Sequence, residues 1–191
     1  MRLKGVLIIL FCSAGLLLYG QNNLRFESFS TFDGLGHTHL FTINTDINGL
    51  IWIGSWDGLS SYNGYEFTNY SSAKTNPGLA GSNVIRVIEP DSLGNIWVGT
   101  EGAGMSVFYP GADTFINYRS VGEEGKILTD NNVGSICHFP GRVWIGTAVG
   151  LSILDRQNDS ISNLISEHSS NLHYRRYYQS GRLPDNLHIA W

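Results

Sequence analysis

Four carboxylates in the middle of the chain, Glu66, Glu89, Asp91 and Glu101, have the chemistry for general acid–base cleavage of a glycosidic bond if folding brings two of them to one rim at the required separation. They stand on different strands of the reading below, and no spacing singles out a pair. His37 and His39 are two apart, so on a strand they would share one face and could offer imidazole to a metal, but no third ligand stands at a recognisable spacing. Asp46-Ile47-Asn48-Gly49 has the start of a calcium loop without the remaining oxygen ligands or the closing Glu, and reads as a turn. Cys137 is placed beside an apolar strand with no acid positioned to activate it, and is expected to be a buried structural thiol. His173-Tyr174-Arg175-Arg176-Tyr177-Tyr178 mixes cations with aromatics, as an anion or sugar site would, and as an exposed edge strand also would. No phosphate loop, zinc spacing, kinase motif or Ser/His/Asp order is present, so neither a catalytic nor a metal site is assigned and no cofactor is expected.

The elements that carry these residues come from a repeat. Leu50 to Ser55, Asn95 to Thr100 and Arg142 to Thr147 are close copies of one another. Their tryptophans, Trp52, Trp97 and Trp144, lie 45 and 47 residues apart. Upstream of each runs an alternating apolar segment, and Asp46 and Asp91 stand six residues before their Trp with Gly49 and Gly94 in the turn. Downstream come Gly58-Leu59-Ser60, Gly104-Met105-Ser106 and Gly150-Leu151-Ser152. A last strand then carries an apolar pair three apart: Phe67 and Tyr70, Phe115 and Tyr118, Ile161 and Leu164. Each unit reads as four short strands joined by Gly-rich turns, which is the period and content of a propeller blade.

Neighbouring side chains of Ile51-Trp52-Ile53 point to opposite faces, yet both faces are apolar, as in a strand covered on both sides. The regular place of the tryptophans in such strands makes them core residues and not sugar platforms. Gly54, Gly99 and Gly146 are expected to let an adjacent backbone approach closely. Asn48-Gly49 and Asn63-Gly64 read as hairpin turns.

This pattern resembles the two-component regulator propeller repeat, whose hallmark is an Asp, a Gly turn, Trp-Ile-Gly-Thr and then Gly-Leu. The resemblance covers roughly residues 24 to 166. It implies a sensor module of the kind found on the periplasmic side of bacterial hybrid sensor kinases, with oligosaccharides as ligands and a membrane-spanning histidine kinase as output. The third copy departs from the pattern: His138-Phe139-Pro140-Gly141-Arg142 reads as two residues shorter and has no Asp before the Trp.

Composition agrees with a turn-rich all-β protein. Of 191 residues 23 are Gly, aromatics reach 12% and charged residues only 15%. The net charge is −4 and no basic cluster interleaves with aromatics in the repeats, which argues against nucleic acid. Met1 to Gly20 pairs Arg2 and Lys4 with an apolar run too short for a membrane span, and reads as a secretory signal peptide cleaved after Gly20, with an uncleaved anchor as the alternative. The expected location is therefore periplasmic or otherwise exported. Only Cys137 would survive cleavage, so no intrachain disulfide is expected.

The domain reading is a signal peptide over 1–20, propeller repeats over 21–166 with blades at about 36–71, 82–120 and 131–166, and the start of a further blade over 167–191. Leu24 to Phe29 copies a blade-final strand, and Leu183-Pro184-Asp185-Asn186-Leu187 copies a blade opening, with Trp191 too close behind it to be the repeat tryptophan. An incomplete ring of about three four-stranded blades, the truncated part of a larger sensor, is the expected architecture. No helix is expected beyond the signal. The expected function is non-catalytic ligand sensing. The alternatives are an exported propeller lyase or glycosidase acting on polysaccharide, and a scaffold for protein contacts.

Overall fold

The computed structural model describes residues 25–71, 78–79, 81–122 and 124–165. The expectations for the signal peptide, for His173 to Tyr178 and for the blade opening at Leu183 lie outside them. Among the described residues twelve strands form three antiparallel four-stranded sheets, each in chain order. Blade one holds β1 (Leu40–Thr45), β2 (Ile51–Ser55), β3 (Gly58–Tyr62) and β4 (Phe67–Tyr70). Blade two holds β5 (Ile85–Pro90), β6 (Ile96–Thr100), β7 (Met105–Tyr109) and β8 (Thr114–Tyr118). Blade three holds β9 (Val133–Phe139), β10 (Arg142–Thr147), β11 (Gly150–Asp155) and β12 (Ser160–Ile165). The sheets stack face to face in an open arrangement, with β1 against β5 and β5 against β9, so the first strand of every blade lies innermost. These are the blades of a β-propeller.

Period-2 alternation explains the stacking. In β6, Ile96 and Val98 join a core with Trp52, Leu59, Ile85 and Phe108 on the blade-one side. Trp97, between them in sequence, joins Met105, Val133, Ile136 and Val143 on the blade-three side. The apolar pair three apart in each last strand follows the same rule, because three is an odd step: Phe115 faces blade one and Tyr118 faces blade three. Blade two is thus a wedge between two cores. Gly49 and Gly64 adopt positive φ, 82° and 94°, as their hairpin turns require.

A second repeated device ties each blade to the segment that leads into it. Ser60 pairs across the β3/β4 ladder with Asn69 and donates to its Oδ1 at 2.6 Å, while Asn69 Nδ2 donates to the Gly34 carbonyl at 2.9 Å. Ser106, Asn117 and Gly78 do the same in blade two, and Ser152, Asn163 and Ile127 in blade three. The side-chain amide thereby pairs a lead-in carbonyl that has no ladder partner of its own.

Three sequence expectations change here. Residues 25–30 form no strand; Phe29 instead lays its ring against Tyr62 and Phe67 of blade one, at centroid distances of 5.1 and 5.6 Å. An apolar pair three apart copied the side-chain pattern of a last strand without the neighbour that would pair with its backbone. A single 3-10 turn, Thr31–Asp33, follows, closed by a capping box in which Ser30 and Asp33 exchange hydrogen bonds. In blade three the turn before the tryptophan is one residue shorter than in the others, not two. Trp144 pairs with Cys137 seven residues earlier, whereas Trp52 and Trp97 pair with Asn44 and Glu89 eight earlier.

Candidate functional site

The repeat aspartates hold the turns before their tryptophans. In blade two, Asp91 Oδ1 accepts from the N–H groups of Leu93 and Asn95, both at 2.9 Å, and Oδ2 accepts from Trp97 Nε1 at 3.0 Å. Asp46 holds Asn48, Leu50 and Trp52 in the same way. One carboxylate therefore shapes the turn and satisfies the buried indole N–H, which leaves the Asp46 loop as a turn with its oxygens occupied by protein donors. Burial pushes the Asp91 carboxyl up, but the hydrogen bonds from Trp97, Asn95 and Leu93 outweigh that and hold it below the usual carboxylate range. By register Phe139 takes the place of the Asp in blade three, and its ring lies 5.2 Å from that of Trp144.

Gly54 and Gly99 make room for the next blade. A methyl at Gly99 would sit 2.5 Å from Val87 Cγ1, 2.7 Å from Val133 Cγ1 and 3.0 Å from the Val133 carbonyl oxygen. At Gly54 it would meet Thr42 and Ile85, both at 2.6 Å. The close approach is made by side chains as much as by backbone. Gly146 faces only Ser135 of its own blade.

Asp91 lies at the β5/β6 turn and Glu101 beyond the far end of β6, so roughly 15 Å of strand lies between them. Glu89 accepts from Asn44 of blade one at 3.4 Å, Glu101 is ion-paired with Arg86, and Glu66 is exposed in the β3/β4 turn. His37 and His39 precede β1 and do not share a strand face; His37 Nδ1 accepts from the His39 N–H at 2.9 Å, which folds a local turn in place of the ladder. No cluster of three metal-ligating side chains occurs among the described residues. Cys137 lies within β9 and is exposed, contrary to expectation: it sits opposite Trp144 on the face turned away from blade two.

The candidate site lies where the three repeats differ in side chain. The innermost strand of every blade carries a β-bulge at one and the same place, and the extra residue is Phe41 in β1, Arg86 in β5 and Gly134 in β9. Beside each bulge a backbone N–H from the turn after the Trp strand donates to the segment before the inner strand: Trp56 to His39, Glu101 to Val84, Ala148 to Asn132, at 3.1, 2.9 and 3.0 Å. Backbone is constant here and side chains are not. On blade one Trp56, 53% exposed, clusters with His39 and Phe41 at ring distances of 4.9 to 6.0 Å. The Arg86 guanidinium lies 4.4 Å over the Phe41 ring and pairs with Glu101. Between blades two and three a groove of about 570 Å³ opens, walled by Arg86, Glu101, Asn132, Gly134, Ser135 and Thr147. A second hollow, about 590 Å³, lies at the opposite rim on the outer face of blade three around Phe139 and Trp144. It too is lined by aromatic and charged side chains, Arg142 and Asp155 beside the two rings, but it lies away from the bulges that the three inner strands share.

The fold is that of β-propeller blades, and residues 78–102 match the profile of the two component regulator propeller family. Over 72 residues the chain is 39% identical to histidine kinase P4 of Formosa agariphila, a stretch covering 37% of this chain and 5% of that protein. The extracellular domain of the hybrid two component system BT3049 from B. thetaiotaomicron is similar in structure, with a TM-score of 0.66 at 20% identity over 73% of this chain and 20% of that one. The extracellular domain of BT4673 from the same organism gives 0.57 at 20% identity over 78% of this chain and 19% of that one. The chain thus spans about a fifth of the solved relatives and a twentieth of the kinase. No helix among the described residues is long and apolar enough to cross a membrane.

Proposed function

We propose that the chain is an exported, non-catalytic sensing module of a two-component system, and that it reads an oligosaccharide on the rim carrying Phe41, Trp56, Arg86 and Gly134. The observation that carries this reading is the contrast within the repeat: one bulge geometry in three blades presents an aromatic cluster, an ion pair and an open slot side by side. Exposed rings beside hydrogen-bonding side chains suit a ligand with apolar faces and hydroxyl edges. The similarity to extracellular domains of two-component systems supports an exported location. In such a system a kinase across the membrane is the partner that receives the signal.

A glycosidase reading needs two carboxylates about 5 to 10 Å apart. Of the four carboxylates, Asp91 is locked in a turn, Glu101 is ion-paired beyond the far end of β6, Glu89 accepts from Asn44 and Glu66 is exposed in a turn. Incubating the full chain with plant and algal oligosaccharides, while measuring binding and product release together, tests the proposal. Binding without products is expected. Product release abolished by one carboxylate substitution would make the protein an enzyme.

A further inference from the structure

We infer that the groove between blades two and three takes an uncharged ligand presenting vicinal hydroxyl groups, with Arg86 and Glu101 gripping it as a donor–acceptor pair; this rests on the reading of the rim as the ligand face. The first ground is Gly134. Its φ is not positive, and a Cβ there would meet nothing within 4 Å, so the fold does not require glycine at this position. Blades one and two carry Phe41 and Arg86 on the same bulge. The missing side chain leaves the groove open at its centre, and glycine in a strand without a backbone reason marks a place where something else approaches closely.

The second ground is the geometry of the ion pair. Arg86 Nε donates to Glu101 Oε2 at 2.9 Å, and Nη2 donates to that same oxygen. Nη1 and Oε1 take no part in this pairing, one able only to donate and one only to accept. A hydroxyl does both, so two adjacent hydroxyls satisfy the pair together. The Phe41 ring on the other side of the guanidinium fixes it in place.

Charge decides the class. Guanidinium and carboxylate cancel within the groove, so a carboxylate or sulfate on the ligand would confront Glu101, and an ammonium would confront Arg86. An uncharged polyol meets neither penalty. The hydroxyl of Ser135 and the amide of Asn132 on the remaining wall suit the same ligand.

Titration calorimetry of the full chain against neutral hexasaccharides of glucose, mannose and galactose, and against hexagalacturonate and spermine, tests this. At least one neutral hexasaccharide should bind and the charged probes should not. R86Q and E101Q should each weaken that binding roughly tenfold, as loss of a hydrogen bond to a charged group does. G134F, which gives blade three the side chain of blade one, should abolish binding at an unchanged melting temperature. Should G134F fail to fold, R86Q and E101Q decide. Neutral binding indifferent to the variants overturns the inference, and so does binding of charged probes alone, which leaves the sensor reading standing. Binding of none of these probes overturns both.

Discussion

Blades two and three carry the same Trp-(Ile/Val)-Gly-Thr strand, yet it does different work in each. In β6 all five residues are buried; in β10 only Val143 and Ile145 are, and Trp144 is partly buried. Sequence is not the cause, since over the five shared positions the two strands differ only by an Ile/Val exchange on either side of the tryptophan. Covering is: β6 has a blade on either face, whereas the face of β10 that bears Trp144 and Cys137 meets no other described sheet. The junction differs too. Between blades two and three, Arg156 reaches from the β11/β12 turn to Asp91 Oδ2 at 3.2 Å, stacks 5.1 Å over the Trp97 ring and contacts His138 Nδ1 at 3.0 Å. A motif therefore states what a strand can bury, and its neighbours decide what it does bury.

The comparison breaks most readily at the tryptophans. Trp97→Ala removes a large aromatic from a closed core and should cost about 3–5 kcal/mol. Trp144→Ala should cost less, because its ring is only partly buried and no described sheet covers it. Equal losses in chemical denaturation would show that the motif, not its covering, sets the energy.

Glycine gives the next test. Gly99→Ala forces Val87 and Val133 apart and should destabilise by about 1–3 kcal/mol, as overpacking does. At Gly146 the obstacle is one serine hydroxyl that can rotate away, so Gly146→Ala should cost under about 1 kcal/mol. Thermal melts of the two variants separate these outcomes.

Protonation sharpens the view of the junction. His138 is held below its ordinary value by burial first and by the nearby Arg156 second. Its folded pKa is depressed, so the unfolded chain takes up the proton first, and stability should decline as pH falls below about 6.5. Asp91 is depressed as well, so its contribution is present above the ordinary carboxylate value and is lost as pH falls through the folded one. His138→Gln should flatten the upper window only, and Asp91→Asn the lower one. A pH–stability curve unaltered by either would detach both groups from the junction.

The smallest effect on stability is expected on the rim. Trp56→Ala removes an exposed ring and should leave the melt within about 0.5 kcal/mol of the parent while weakening oligosaccharide capture.

Much of the scaffold was legible in the sequence because it is written three times. The tryptophan strands, the turn aspartates and the apolar pairs recur at a period that only blades explain, and two-sided burial followed from strand alternation. The rim was missed for the same reason. Comparing copies keeps what they share and discards what differs, and Phe41, Arg86 and Gly134 share a backbone position while differing in every side-chain property. The signal was present as three unlike residues at one register. Ser60, Ser106 and Ser152 stand out as part of the repeat, but the role of their partners Asn69, Asn117 and Asn163 does not, because the clamp they form reaches a lead-in segment some 35 to 39 residues away. Cys137 was misplaced because an apolar neighbourhood in sequence does not say which of two faces is covered.

Residue-resolved amide hydrogen exchange on the full chain measures the central claim directly. If covering sets stability, the Trp97 and Val98 amides of β6 should exchange only through global unfolding, while the Trp144 and Ile145 amides of β10 should open at a measurably lower free energy. Equal protection of β6 and β10 would contradict the account.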